Sequence, residues 1–270
     1  MAQSISQSKP LFVSIPHSGE MVPDEVTWLK GLPEPTLMRD VDRFVDQLYD
    51  KVIRELNLPH IVAQFHRYVV DLNRLPTDID QGSVEGAVHP AGSFTTGLHW
   101  SRTTVGEPLI TEPMPMALHE KLVSSYFKPF HDRVKAQYKV FREQGYDQVF
   151  HIDAHSMPSM GTRAHRDPGQ KRAEIVISDV DGQSCSADFK DLVIEAYEQA
   201  GFQVAYNWPY KGGRLTQTYG RPELGQHCIQ VELNRALYMN EDTKQKSQPQ
   251  FFETSEKLAQ AMRFIWEKLS

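Results

Sequence analysis

The hydrophobic pattern along the chain changes period several times, and each change predicts an element. Leu11 to Ile15 (LFVSI) is a short apolar run closed by Pro16 and Gly19, the pattern of a buried strand feeding a tight loop, with His17 at its carboxyl end. From Thr36 to Asn57 apolar residues fall at 37, 38, 41, 44, 45, 48, 52, 53 and 56, the three-and-four spacing of an amphipathic helix. Asp40 and Asp42 then belong to its first turn or two. Ile61 to Phe65 (IVAQF) and Tyr68 to Leu72 (YVVDL) are β-branched and predict neighbouring strands, the second running into Asn73 and Arg74.

Residues 76–113 are rich in glycine and proline and hold neither period, so a long loop is expected, either a lid or wall of an active site or a mobile insertion. Helical spacing resumes over 115–144, where Pro129 should kink or divide the helix and Gly145 should end it. Strand 148–152 (QVFHI) leads into Asp153, Ala154, His155 and Ser156. Strand 174–178, helix 186–200, strands 202–206 and 227–233 and a final helix from about 251 complete the series.

Strands alternating with helices predict an α/β protein: three layers, with a mixed, mostly parallel central sheet flanked by helices. One domain over 11–270 with long inserted loops is expected, after a disordered tail at 1–10. In such sheets ligands gather beyond the carboxyl ends of the strands, and His17, Asn73, Arg74, Asp153, His155 and Glu232 all fall at or just past predicted strand ends.

The chain has 270 residues, with 35 acidic against 29 basic side chains, a net charge of −6 and 40% hydrophobic content, figures that exclude disorder and collagen-like order. The acidic balance argues against nucleic acid as the main partner. With no apolar window of about 18 residues and a polar amino terminus, the expectation is a cytoplasmic protein without a membrane partner. Cys185 and Cys228 read as two free, buried thiols. No heptad seam marks a helix face, so the sequence leaves the oligomeric state open.

A hydrolytic zinc site needs about three histidine or carboxylate ligands and a further carboxylate to take a proton from water. His17 and His155 supply two imidazoles in similar turn-like settings, PHSG and DAHS. The acidic ligand has three candidates. Glu20 stands in an H-x-x-E spacing from His17, whereas Asp40 and Asp42 enter with the first helix, where helix capping would also explain them. Glu232 lies in an apolar strand (QVEL), where a carboxylate is costly unless paired or ligating, and a partly buried glutamate of this kind suits a general base. Asn73 and Arg74 form a natural clamp for a carboxylate or oxyanion, with a surface ion pair as the plain alternative for Arg74. KGGR (211–214) could expose amides to an anion but lacks the spacing of a nucleotide phosphate loop. No G-x-S-x-G elbow is present and neither cysteine has an obvious histidine partner in the sequence, which leaves covalent catalysis unsupported.

Taken together, IPHSG (15–19), DVDRFVDQLY (40–49), RYVVDLNR (67–74), TTGL (95–98), DAHS (153–156), DGQSC (181–185), YKGG (210–213), TYGRP (218–222) and QVELNRALYM (230–239) resemble the N-formylglutamate amidohydrolase family. That family is similar to zinc carboxypeptidases and to aspartoacylase and succinylglutamate desuccinylase, whose DLNR signature matches residues 71–74. The resemblance implies a phosphorylase/hydrolase-like fold, one zinc ion per chain, and hydrolysis of N-formyl-L-glutamate to glutamate and formate, a step of histidine degradation. It implies His17, His155 and Asp42, in preference to Glu20, as metal ligands. Glu232 would be the catalytic glutamate, and Asn73 and Arg74 the substrate-binding pair.

In the specificity loop the family's usual aromatic or imidazole residue and following arginine are replaced by Arg214 and Gln217. Either the anion clamp has moved to Arg214, or another N-acyl amino acid is the substrate. Two rivals therefore stand: an amidohydrolase acting on a different acyl group, and a non-catalytic binder of acidic amino acids. Manganese, iron or cobalt would suit the same ligands.

Overall fold

The computed structural model describes residues 9–87 and 96–269. In chain order these form β1 (Leu11–Ile15), α1 (Glu34–Leu37), α2 (Val45–Leu56), β2 (His60–Val62), α3 (Met116–Leu122), α4 (Lys128–Glu143), β3 (Val149–Met157), β4 (Ile175–Ser178), α5 (Ala187–Gln199), β5 (Val204–Tyr206), α6 (Arg214–Tyr219), β6 (Gln226–Asn234), a small β7–β8 ladder (Met239–Asn240 with Gln245–Lys246), and α7 (Gln248–Lys268). Six strands make one sheet in the order β2-β1-β3-β6-β4-β5. The first four run parallel, and β4 lies antiparallel to β6 and parallel to β5. This is the expected mixed, mostly parallel sheet with helices on both faces. No helix among the described residues is long and apolar enough to cross a membrane.

The two faces of the sheet are unequal. One is apolar along its whole length: Leu11, Val13 and Ile15, Ile152 and Ala154, Ile229, Val231 and Leu233, and Ile175 and Ile177 pack beneath α2, α5 and α7. The opposite face is apolar only near the amino ends of the strands, where Phe12, Val149 and Cys228 meet Phe130, Val134, Tyr138 and Phe141 of α4. Towards the carboxyl ends, the same pleat presents Ser14, Asp153, His155, Gln230 and Glu232, all buried. A strand alternates sides with period two, so a polar row on one face leaves the apolar core on the other intact.

Several expected elements differ in extent. The helix predicted from 36 stops at Leu37 and restarts at Val45, after Phe44 takes a left-handed conformation (φ 70°), so Asp40 and Asp42 lie in the intervening bend. Tertiary bonds win there, since the Asp42 amide donates to His17 O at 2.9 Å. YVVDL is buried turn, not strand, with Val69 N bonding His66 O and Asp71 N bonding Leu98 O. A short apolar run does not by itself distinguish a strand from any other buried segment.

The predicted helix over 115–144 is continuous, with a π-helical turn at Val123–Phe127 just ahead of Pro129, which relieves the clash a proline makes in an α-helix. β3 runs on to Met157, so Asp153 and His155 lie within it. Residues 1–8 of the expected tail and 88–95 of the expected loop fall outside the described residues. The described parts of 76–113 contain no helix or regular strand. They are held by Asp80, which accepts from Gly97 N at 2.5 Å and from Ser101 N at 2.8 Å.

Four buried histidines lock the polar half of the molecule in the neutral imidazole form. His66 donates Nε2–H to Leu37 O and accepts from Tyr68 N, and His131 bridges Leu72 O and the Tyr219 hydroxyl. His99 bonds Val69 O and His119, while His151 bonds Ser14 Oγ and the Tyr138 hydroxyl. Burial lowers all four to about 4. The unfolded chain takes up these protons below about pH 6.5 and the folded one resists until about pH 4, so stability is full above 6.5 and falls between those limits. Each histidine costs up to about 1.4 kcal/mol per pH unit there. Asp80, pushed up to about 6 by burial, opposes the trend, as do Asp46 and Glu232, whose carboxyls burial also raises. Urea unfolding followed at pH 7, 6 and 5 should show a falling midpoint, and a midpoint unchanged from 7 to 5 contradicts this account.

Candidate functional site

His17 comes from the turn after β1, Asp42 from the bend before α2 and His155 from β3, yet they meet. One ligand atom from each lies within 4.8 Å of the others, and all three side chains are buried. His155 Nδ1 is 3.1 Å from Asp42 Oδ2, and His17 Nδ1 is 3.5 Å from the same oxygen without making a hydrogen bond. The far nitrogens are fixed by carboxylates: His17 Nε2 donates to Asp71 Oδ1 at 2.7 Å, and His155 Nε2 donates to Asp153 Oδ2 at 2.9 Å. An ionised carboxylate only accepts, so both Nε2 atoms carry protons and His155 Nδ1, bonded to Asp42, carries a second one, while each Nδ1 is turned into the site.

The supporting carboxylates are themselves held. Asp71 accepts from Asn73 N, Trp100 Nε1 and Arg67, and Asp153 accepts from Ser14 Oγ. Burial disfavours the charge on Asp71, but His17, Arg67 and Arg74 hold its carboxyl well below the usual range. Burial likewise opposes ionisation of Asp42, and His155, His17 and Arg67 reverse it. Burial also works against a charged His155, yet Asp153 and Asp42 push it well above the usual imidazole value. Such a site calls for positive charge among its three donors.

Glu232 sits opposite His155 in the β3–β6 register. Its Oε1 accepts from Gln230 Nε2 at 2.8 Å. Burial raises its pKa, with Asp42 adding to the rise and His155 opposing it, so this carboxyl holds a proton more readily than an exposed one. His17, Asp42, His155, Glu232, Asn73 and Arg74 all line one cavity of about 310 Å³.

Other predicted residues are placed elsewhere. Glu20 is drawn away to Arg43, with Oε1 at 2.7 Å from Nε, and is absent from the three-donor cluster. Asp40 lines the cavity, but its carboxylate accepts from the Tyr68 hydroxyl and from Thr104 N and Oγ1. Arg214 is forked onto Asp78 at 3.0 and 3.3 Å and lies outside the lining. Of the KGGR amides, that of Gly213 serves the fold by donating to Gln230 Oε1, and just past the loop Leu215 N donates to Asn73 Oδ1.

Sequence reasoning assigned no role to Arg67 or Arg235, which flank Asp42. Arg235 reaches Asp42 Oδ1 at 2.9 Å, and Arg67 lies 3.8 Å from it. A signal existed for Arg67, which stands four residues before Asp71 and pairs with it.

Residues 9–239 match the sequence model of a family described as N-formylglutamate amidohydrolase. The chain is 31% identical over 265 residues to the N-formylglutamate deformylase of Pseudomonas putida, covering 96% of this chain and 90% of that one. It is 32% identical over 239 residues to the N-formylglutamate deformylase of Pseudomonas aeruginosa, covering 86% and 83%. A solved structure of N-formylglutamate amidohydrolase from Ralstonia eutropha JMP134 superposes with a TM-score of 0.85 at 27% identity, covering 97% and 95% of the two chains.

One packing contact sets a test of the site's architecture apart from its chemistry. A Cβ on Gly213 would lie 2.1 Å from Asn73 Nδ2, closer than any real contact, so only glycine lets the 210–213 loop pass Asn73. Gly213→Ala should destabilise the fold by about 1–3 kcal/mol, the usual cost of overpacking. Thermal unfolding reads this as a drop of several degrees, and a variant melting with the parent protein would show that Asn73 yields freely.

Proposed function

Since the chain belongs to the N-formylglutamate amidohydrolase family, we propose that it hydrolyses N-formyl-L-glutamate to L-glutamate and formate at the His17–Asp42–His155 cavity, with a divalent metal ion, zinc in the first instance, held by those three residues. The observation that carries this reading is the paired orientation of the imidazoles: both Nε2 atoms are bound to carboxylates, and both Nδ1 atoms converge on one Asp42 oxygen. The donor set fits zinc, which takes histidine nitrogen and carboxylate oxygen and leaves a position open in hydrolytic sites. A zinc ion there would supply Lewis acidity and bring the pKa of water from 15.7 to about 7.

This chain's residues account for the remaining steps. Glu232, buried and with a raised pKa, accepts a proton from water as its oxygen attacks the formyl carbon, then delivers that proton to the departing nitrogen as the C–N bond breaks. Arg74 faces the cavity with no carboxylate in ion-pairing range among the described residues. Its Nε and Nη1 are spent on Thr96 O and Asn73 O, which fixes the guanidinium for a substrate carboxylate or the developing oxyanion. Asn73, anchored through Oδ1 to Leu215 N, keeps its amide group at the cavity wall.

Elemental analysis of the purified protein should find about one metal ion per chain, with activity lost to a chelator and restored by zinc. Asp71→Asn and Asp153→Asn should each weaken metal binding about 10- to 100-fold, because the imidazoles lose the acceptors that orient them. Glu232→Gln should lower kcat by about 10² to 10⁴ while the metal remains bound. Undiminished turnover in the metal-loaded Glu232→Gln protein excludes it as the base. A panel of formyl-, acetyl- and succinyl-glutamate with formyl-aspartate tests the acyl group and chain length, and inert formylglutamate overturns the assignment.

A further inference from the structure

N-Formylglutamate carries two carboxylates, of which Arg74 can take one. Five arginine and lysine side chains line the cavity, and three are already paired: Arg67 with Asp71, Arg235 with Asp42 and Lys211 with Asp181. Of these five, Arg74 and Arg166 have no carboxylate within ion-pairing distance among the described residues.

Arg166 is exposed, but it stands on a loop whose base is fixed. Its neighbour Asp167 is buried and forked onto Arg172, with Nε to Oδ2 at 2.7 Å and Nη2 to Oδ1 at 2.9 Å. Arg172 in turn bonds Pro158 O and the Tyr210 hydroxyl, so the base of the loop is tied to the wall of the cavity. Gly161 and Gly169 close the loop backbone to backbone at 2.8 Å, and Thr162 Oγ1 fastens it to Thr104 O. The Arg166 guanidinium lies 5.8 Å from the ring centroid of Trp208, itself 46% exposed. A guanidinium in cation–π contact with an aromatic face keeps its N–H groups available for a carboxylate.

We propose that Arg166 is a specificity residue, reading the side-chain carboxylate of the substrate at the outer end of the cavity while Arg74 serves the inner one. This rests on the amidohydrolase reading for the identity of the substrate, but the preference for an acidic side chain is a property of binding and is measurable without turnover. Loss of one charge-assisted contact from a site built for it corresponds to about a tenfold to hundredfold loss of affinity.

The experiment pairs calorimetric binding of L-glutamate and L-glutamine with kcat/KM for N-formyl-L-glutamate and N-formyl-L-glutamine, in the parent protein, Arg166→Gln and Arg166→Lys. In Arg166→Gln the acidic ligand and substrate should lose at least about tenfold, through Kd and KM with kcat little changed, while the neutral pair stays within about threefold. Arg166→Lys should recover part of the loss. Equal losses for acidic and neutral compounds, or none for either, overturn the proposal, as does a parent protein that binds neither amino acid. Arg166-dependent glutamate binding without turnover would sink the amidohydrolase reading and leave this inference standing. Turnover with discrimination untouched in Arg166→Gln would do the reverse.

Discussion

Two buried imidazoles aim the same nitrogen at one carboxylate oxygen, and most of the surrounding structure exists to make that arrangement tolerable. Three acidic groups and two histidines removed from water would repel or neutralise one another if left alone. Here every charge has a fixed partner: Asp71 and Asp153 take the outer imidazole protons, and Arg67 and Arg235 flank Asp42. The backbone takes part as well, since the bond from the Asp42 amide to His17 O joins the two loops that carry the donors. Removing any one member would leave a buried charge uncompensated, which is costlier than never having placed it there.

The sheet makes room for this polar cluster by dividing labour between its faces. The face under α2, α5 and α7 carries the continuous apolar core, while the other face yields its carboxyl-end half to Ser14, Asp153, His155, Gln230 and Glu232. Helix α4 covers only the apolar half of that face. The polar half is roofed by turns and loops, whose amides reach the same side chains, as Gly213 does with Gln230.

Strands β1, β3, β4 and β6 and helices α4, α5 and α7 were legible because each is a local periodic pattern bounded by proline, glycine or polar residues. His17 and His155 were legible because chemistry-bearing residues recur near strand ends in such sheets, whereas Asp42 was preferred over Glu20 only through the family resemblance. What the sequence hid were features decided by tertiary bonds. YVVDL has a strand's composition, but Asp71 gathers so many donors that its backbone is bent around the carboxylate. The break in the helix before Val45 follows from Asp40 and Asp42 being needed elsewhere. The capture of Arg214 by Asp78, 136 residues away, and the freedom of Arg166 are questions of partner, which no spacing rule reports.

Strand order has a further consequence for how the molecule is made. β6 lies between β3 and β4, although β4 and β5 precede it in the chain. A polypeptide emerging from the ribosome therefore has no strand to place between β3 and β4 until residues 226–234 arrive. Such late, long-range pairing is slow and leaves edges open to association with other chains. The strand that closes the gap is also the one that brings Glu232, so a nascent chain gains its last reactive carboxylate in the same event that seals its sheet.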